Sequence, residues 1–569
     1  MQIKAEQKWL FIVFVALAVV LVAGLGLRFP WPADEPRFAQ VAREMLQSGQ
    51  WLFPSRAGEY YPDKPPVFMW LIAVFYQLTG NLKVAFLLPS AFAGFLTAYM
   101  VYDLSKRLYD HKVAFTALLI LIATPQFLIQ AKTAQIDMTL CFFTTVGCYG
   151  MVRYFILGNG LRWLYLGASA MGLGIITKGV GFLPLLMFIP LLVWFRNYQT
   201  PHRPWNALVW LTPVIMLAVV ALWLLPMLHI VDNSGSADLV SYKNNILFKQ
   251  TAERYANAWH HIKPWYYYIS QVMPFLWLPL FIMLLAGGRT TLDVIKQDKV
   301  VKTLFVWAIL VVVFFSISAG KRAVYILPAL PMLSIVGAVC WLRLTKMELG
   351  RWISQALWTI YVLLMVIAII LLSAFYFGLL DIPQKNLVYK PLFEQAYWPV
   401  VIASIVGVGF CIWQRKKDIF IQLSTLTIGA WLVTALLIWP AIDPYRTPEK
   451  IMKKVAQTLP QDSELGLVKF KEQLLMFVDR PVTQFSYLAP DKVQFERAWQ
   501  WQAQQENRYI LTSSEASLSC YTLKGAIHLG EAHRRQWYLL SDKQRLSTCP
   551  KPSVMKTYHY TPSSQIGFQ

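Results

Sequence analysis

Charge is what this sequence has least of. Only 14% of its 569 residues are Asp, Glu, Lys or Arg, where a soluble domain carries about a quarter. That scarcity argues against an ordinary soluble enzyme. Period-2 alternation is missing too, which leaves a transmembrane barrel without support. No repeat of fixed period and no low-complexity linker divides the chain. It has no Walker motif, no G-x-G-x-x-G after a strand and no H-E-x-x-H, so an ATP-driven pump and an intramembrane zinc protease find no footing.

In place of charge there are apolar runs. Hydrophobic residues make up 57% of the chain, and apolar runs of about 17–25 residues recur over the first 440 positions; FIVFVALAVVLVAG (11–24) and LLMVIAIILLSAFYFGLL (363–380) are uninterrupted apolar segments within them. Backbone groups in lipid must be bonded internally, so these runs are expected to be helices. Residues 9–27 read as a retained first span: the run is long, no small-x-small cleavage site precedes a soluble stretch, and more spans follow.

The net charge of +22 suggests nucleic acid until its placement is considered. Lys and Arg cluster between apolar runs, as at Lys106–Arg107, Arg196 and Arg203, Lys296–Lys302, and Arg415–Lys417, as cytoplasmic loops do. With the N-terminus inside, spans fall near 9–27, 83–105, 113–131, 137–156, 162–177, 179–195, 207–228, 266–286, 303–318, 323–342, 353–378, 396–413 and 419–440, about thirteen in all. The segment 67–80 is too short for a comfortable span and reads as interfacial or re-entrant, stiffened by Pro65 and Pro66. Four features then lie outside: residues 28–82, the turn 131–138, the loop 229–265 and everything after Asp443. Nucleic acid is not an expected partner; membrane lipids are.

The expected organisation is a polytopic α-helical membrane unit, 1–440, followed by a small soluble α/β domain, 441–569, on the outer face. The tail is polar, with short apolar bursts such as LGLVKF (465–470), RYILTS (508–513) and QWYLLS (536–541). Of six cysteines, Cys141, Cys148, Cys340 and Cys411 lie inside spans. Cys520 and Cys549 are the tail's only two, a natural disulfide in an oxidising compartment.

Candidate chemistry begins at WPADEPRFAQVARE (31–44). Asp34 and Glu35 sit where a helix N-cap is expected, and that structural reading is strong for Glu35. For Asp34 a second acid weighs against it. Asp137, in AQIDM, stands at a membrane boundary, where an ionisable group is costly unless paired or used. Two carboxylates on one outer cavity can orient or deprotonate an acceptor, or hold a metal. In EYYPDKPP (59–66), Asp63 and Lys64 make either a surface turn or a rigid phosphate anchor. Lys178 in ITKGVG, with Lys321, Arg322 and Tyr325 in SAGKRAVYILP, breaks the charge rule by placing cations outside. Each alone is a snorkelling anchor; with Arg37, Lys64 and Arg254 they favour an anionic ligand. His260 and His261 are adjacent, a weak metal signal without spaced companions.

At these motifs the sequence resembles a GT-C glycosyltransferase of the family that includes the aminoarabinose transferase acting on lipid A, with protein O-mannosyltransferases as more distant relatives. ADEPRFAQVAREML, YYPDKPP, AQIDM, ITKG and SAGKRAVYILP match the family's motifs in order, through roughly the whole membrane part. The resemblance implies catalytic roles for Asp34 and Asp137, and a donor-phosphate pocket lined by Arg37, Lys64, Lys178, Arg254 and Tyr325, to which Lys321 is added from its motif. It also implies that Asp63, with a loop histidine, can ligate zinc. Here Gln250 and Thr251 stand where the aminoarabinose transferases have Glu-His, which leaves His260 or His261 as the metal candidate beside Asp63.

The expected activity follows from the resemblance. An amino sugar such as 4-amino-4-deoxy-L-arabinose moves from undecaprenyl phosphate to a lipid A phosphate on the periplasmic face of a bacterial inner membrane, with inversion. One alternative is a polyprenyl-phosphate-sugar-dependent transferase acting on hydroxyls of protein or other envelope glycans. Another, from a different class, is a lipid-carrier flippase, which needs an inward-accessible polar path.

Overall fold

Proline and glycine decide how the apolar runs fold. The computed structural model describes residues 2–195, 205–248, 261–380, 390–533 and 535–562. Among these, seven helices are long and apolar enough to cross a membrane, or nine spans if two bent pairs each count once. The number is below the thirteen expected: two runs are bent, the run at 179–195 is divided, and Gln2–Val22, Ile136–Phe155 and Leu161–Lys178 are continuous helices that fall outside this count. His111–Ala123 and Pro125–Ala131 meet at 71°, since Pro125 cannot continue the ladder, and Tyr268–Leu276 and Leu278–Ala286 meet at 111° ahead of Pro279. The run at 179–195 is a tight turn, Leu183–Met187, leading into Phe188–Phe195. The segment read as interfacial or re-entrant is helix Val67–Thr79, which is about 20 Å long by its residue count and buries Phe68, Met69 and Ile72.

Helices Ile136–Phe155 and Leu161–Lys178 are joined by a five-residue turn and pack antiparallel along glycine. A Cβ on Gly150 would lie 2.3 Å from the Trp163 carbonyl oxygen and 3.1 Å from Gly167 Cα, so these backbones approach as closely as small residues allow. The first helix, Gln2–Val22, ends against Lys132, whose Nζ donates to the carbonyls of Val20 (2.8 Å) and Leu21 (3.2 Å). A buried cation thus satisfies carbonyls left over at a helix C-terminus.

Beyond Arg446 the chain changes to mixed structure. Strands β3 (Glu464–Leu467), β4 (Val482–Gln484), β5 (Arg508–Ser513), β6 (Ile527–Ala532), β7 (Arg535–Leu540) and β8 (Tyr558–Tyr560) form one sheet in the order β6-β7-β5-β3-β4-β8. Its centre is parallel, β3 with β4 and β5, and its flanks are antiparallel. The apolar bursts are its inner strands: Leu465, Leu467, Ile510, Leu511, Leu539 and Leu540 are buried. Cys520 and Cys549 form a disulfide, with Cα atoms 5.1 Å apart.

The sheet region docks on the loop that follows the first helix. Within that loop β1 (Ser55–Arg56) and β2 (Glu59–Tyr60) make a short hairpin. The Glu59 carboxylate accepts from Ser486 Oγ (2.6 Å), the Tyr487 amide (2.9 Å) and Gln484 Nε2 (3.2 Å). Asp443, where the helices give way to the tail, accepts from Trp31 Nε1 (2.6 Å) and the Phe29 amide (3.0 Å). The sheet therefore lies over the same end of the helices as Asp34.

Candidate active site

Asp34 holds the N-cap position of helix Glu35–Ser48, yet its side chain makes no capping bond. Its Oδ2 instead accepts from Arg322 Nη2 at 3.0 Å and Gln135 Nε2 at 3.2 Å. A residue type that favours caps has thus been diverted to a charge partner 288 residues away. Burial alone would raise its pKa, but Arg322, with Arg37 and Lys178 beyond it, holds the carboxyl below the ordinary aspartate value. Asp34 is an anion at neutral pH.

Glu35, one residue on, is structural. Buried beneath the loop, it pairs with Arg28 (Nη2 to Oε1, 2.8 Å) and accepts from the amides of Trp31 (2.9 Å) and Ala134 (3.0 Å). These bonds fasten the 28–35 loop to the turn that carries Asp137.

Asp137 lies in the first turn of helix Ile136–Phe155, and Lys178 closes helix Leu161–Lys178. Because the two helices are antiparallel, those ends coincide, and Lys178 Nζ is ion-paired to Asp137 Oδ1. The acid sits at a positive dipole end and the lysine at a negative one, each where the helix favours it. Gly179 then turns the chain at φ 85°, a conformation that glycine adopts without steric cost. The Lys178 ammonium also lies 4.3 Å from the centre of the Tyr325 ring.

Arg37, one helical turn after Asp34, links the acid pair to the tail. Its Nη1 lies 3.9 Å from Asp34 Oδ1 and its Nε donates to Glu472 Oε1 at 2.8 Å. The second oxygen of Glu472 pairs with Arg56 Nη1 at 3.3 Å. Burial pushes Glu472 up, but Arg56 and Arg37 together carry it below its ordinary value. Asp63 is near enough to Arg37 and Tyr61 to act on both electrostatically, and Lys64 follows on the same half-buried loop.

The fold thus brings Asp34, Arg37, Asp137, Lys178 and Tyr325 to one end of the bundle, from segments far apart in sequence. Lys321 is directed elsewhere: its Nζ donates to the carbonyls of Lys263 (3.0 Å) and Ser318. Its neighbour Arg322 is the one that reaches Asp34. Of the metal candidates, His261 is exposed, at φ 60°, with its carbonyl accepting from the Lys321 amide. Arg254, His260, Gln250 and Thr251 lie outside the described residues, as do Arg196 and Arg203. Among the described residues no three His, Cys, Asp or Glu side chains gather as a metal site.

Two participants, Arg56 and Glu472, were not singled out from sequence, since charged residues in polar segments are ordinary. Arg322 was, as one of the cations expected outside, but without the role at Asp34 that the fold gives it.

The dolichyl-phosphate-mannose-protein mannosyltransferase family model matches residues 63–225. An undecaprenyl phosphate-alpha-4-amino-4-deoxy-L-arabinose arabinosyl transferase of Pseudomonas fluorescens is 27% identical over 58% of this chain, and the alignment spans 59% of that relative's length. One from Pseudomonas savastanoi pv. phaseolicola is 26% identical over 78% of this chain and 80% of its own. The crystal structure of ArnT from Cupriavidus metallidurans bound to undecaprenyl phosphate superposes with a TM-score of 0.73, covering 94% of this chain and 98% of that one at 21% identity, which shows the fold.

Proposed function

We propose that this chain, an ArnT-like multi-pass membrane glycosyltransferase of GT-C fold, transfers 4-amino-4-deoxy-L-arabinose from undecaprenyl phosphate to a phosphate of lipid A on the periplasmic face of the inner membrane. The observation that carries the reading is Asp34, which forgoes its helix cap to join a cationic cluster assembled from separate motifs. Residues 1–440 are the catalytic unit in this reading and 441–569 a periplasmic domain covering it.

The acceptor phosphate oxygen attacks the anomeric carbon as the bond to the donor phosphate oxygen breaks, on the opposite face, with inversion. Undecaprenyl phosphate leaves with one more negative charge, and charge stabilisation in place of protonation is what that departure needs. Arg37, Lys64, Lys178 and Tyr325 supply it from the described residues, and Arg254 belongs to the same proposal. Asp137 holds Lys178, Asp34 faces Arg37, and the two acids orient the acceptor. A carboxylate with a lowered pKa is a weak base, so Asp34 suits a phosphate acceptor, already nucleophilic, better than a hydroxyl that must lose its proton. The match to a protein mannosyltransferase family supports hydroxyl transfer as the second reading.

Mass spectrometry of lipid A from cells with and without the gene, alongside Asp34→Asn and Asp137→Asn, separates the two. A pentosamine lost with the gene and with both variants is the expected result. Unchanged lipid A overturns the acceptor and sends the search to glycoproteins and other envelope glycans.

A further inference from the structure

Glu472 is buried, with only 5% of its side chain exposed, and it belongs to the tail. It faces two arginines of the segment that follows the first helix, Arg37 of helix Glu35–Ser48 at 2.8 Å and Arg56 of β1 at 3.3 Å. Isolated burial of a carboxylate is costly, and pairing to two guanidiniums offsets that cost. The residues around it are fastened to the same segment. Arg43 Nη2 donates to the Leu475 carbonyl at 2.8 Å, and the Phe477 ring lies 4.7 Å from that of Phe29. Arg56 is itself held, 3.6 Å from the centre of the Tyr487 ring. Glu472 is thus a fixed anion in a fixed frame.

Its bond to Arg37 uses one edge of the guanidinium. Glu472 takes Nε, while Nη1 faces Asp34 at 3.9 Å, and Arg37 remains 26% exposed. Arginine presents its donors in a rigid planar fork, so fixing one edge orients the other. Arginine also carries considerable rotamer entropy, which a ligand would otherwise have to remove on binding.

We propose that Glu472 is a positioning residue for the transfer: it holds the Nε edge of Arg37 so that the terminal nitrogens face Asp34 and the donor phosphate. This rests on the reading of Arg37 as a ligand of that phosphate. The active site is then completed by the tail, and the C-terminal region is part of the catalytic apparatus as well as its cover. The converse arrangement, in which Glu472 occupies Arg37 and excludes the donor, predicts the opposite sign.

The test is undecaprenyl phosphate binding to the purified full-length chain, with Arg37→Ala, Glu472→Ala, Glu472→Gln and the Arg37→Ala/Glu472→Ala double variant, each checked for thermal unfolding. The expected result is that Glu472→Ala weakens binding by about tenfold and the double variant binds no worse than Arg37→Ala alone, since the two act as one unit. Glu472→Gln, nearly isosteric, weakens binding by a smaller factor with unchanged unfolding, which keeps the test open where the alanine variant folds poorly. A purely structural role would weaken the Arg37→Ala background as much as wild type, and that additivity overturns the proposal. Unchanged or tighter binding in the Glu472 variants, with Arg37→Ala impaired, overturns it while leaving the donor-phosphate reading intact. If Arg37→Ala binds as wild type does, the reading of Arg37 falls and the proposal with it.

Discussion

At the scale of single residues, the site is a set of paired charges. Asp34 is the clearest case. Its pKa is below the ordinary value although burial opposes this, so its pairing with Arg322 is complete at neutral pH and is lost only as pH falls through the depressed pKa. Transfer activity is expected to show no Asp34 titration between about pH 5 and 8. Removing Arg322 takes away the largest influence opposing burial, with Arg37 and Lys178 remaining. In Arg322→Ala the acid limb of kcat/KM moves up by about 1–3 pH units, which a pH–rate profile on the purified enzyme checks. An unmoved limb would mean that Asp34 is not the group titrating.

Sequence could single out Asp34, Asp137 and Lys178 for a physical reason: lipid penalises charge, so a charge at the end of a span calls for an explanation. The choice between Lys321 and Arg322 had no such guide. Adjacent residues share every compositional argument, and only the backbone direction decides which reaches the acid. Glu472 was silent because a carboxylate in a polar domain is ordinary, and its partner lies 435 positions away.

At the scale of elements, the Asp137–Lys178 pair exists because two helices run antiparallel at close range. The approach depends on Gly150. Its replacement by Leu must push Trp163 and Gly167 away, whereas a Cβ on Gly160 meets nothing within 4 Å. Gly150→Leu is expected to cost about 1–3 kcal/mol and to impair transfer, with Gly160→Ala near wild type in thermal unfolding and activity. In the tail, the Cys520–Cys549 link closes a separation of 29 residues. Cys520→Ser with Cys549→Ser is expected to lose about 3–4 kcal/mol of tail stability on the chain-entropy account, read as a lowered unfolding midpoint of the full chain under non-reducing conditions.

At the scale of the whole molecule, the helices and the sheet region are joined by buried polar contacts. Glu59 accepts three hydrogen bonds from the tail, yet burial outweighs them and raises its pKa. A carboxyl raised in the folded state contributes most below its unfolded pKa, and that contribution is lost as pH rises through the folded one. Glu59→Ala is therefore expected to destabilise the chain by about 1–3 kcal/mol near pH 5 and by less near pH 8. Thermal unfolding of wild type and variant at both pH values reads the difference. An equal or larger loss at the higher pH would show that Glu59 is held as an anion.

The sequence by itself determined that the chain is a bundle of membrane helices with a polar tail, because hydropathy acts on each run independently of its neighbours. It also determined which charges stand where lipid would reject them, and the motif order that resembles the aminoarabinose transferases. The tertiary structure alone decided that Asp34 pairs with Arg322 and not Lys321, that two apolar runs bend sharply at proline-bearing breaks, and that the tail places Glu472 against Arg37. Those outcomes depend on which distant surfaces meet, and a partner hundreds of residues away leaves no local trace in the spacing around either residue.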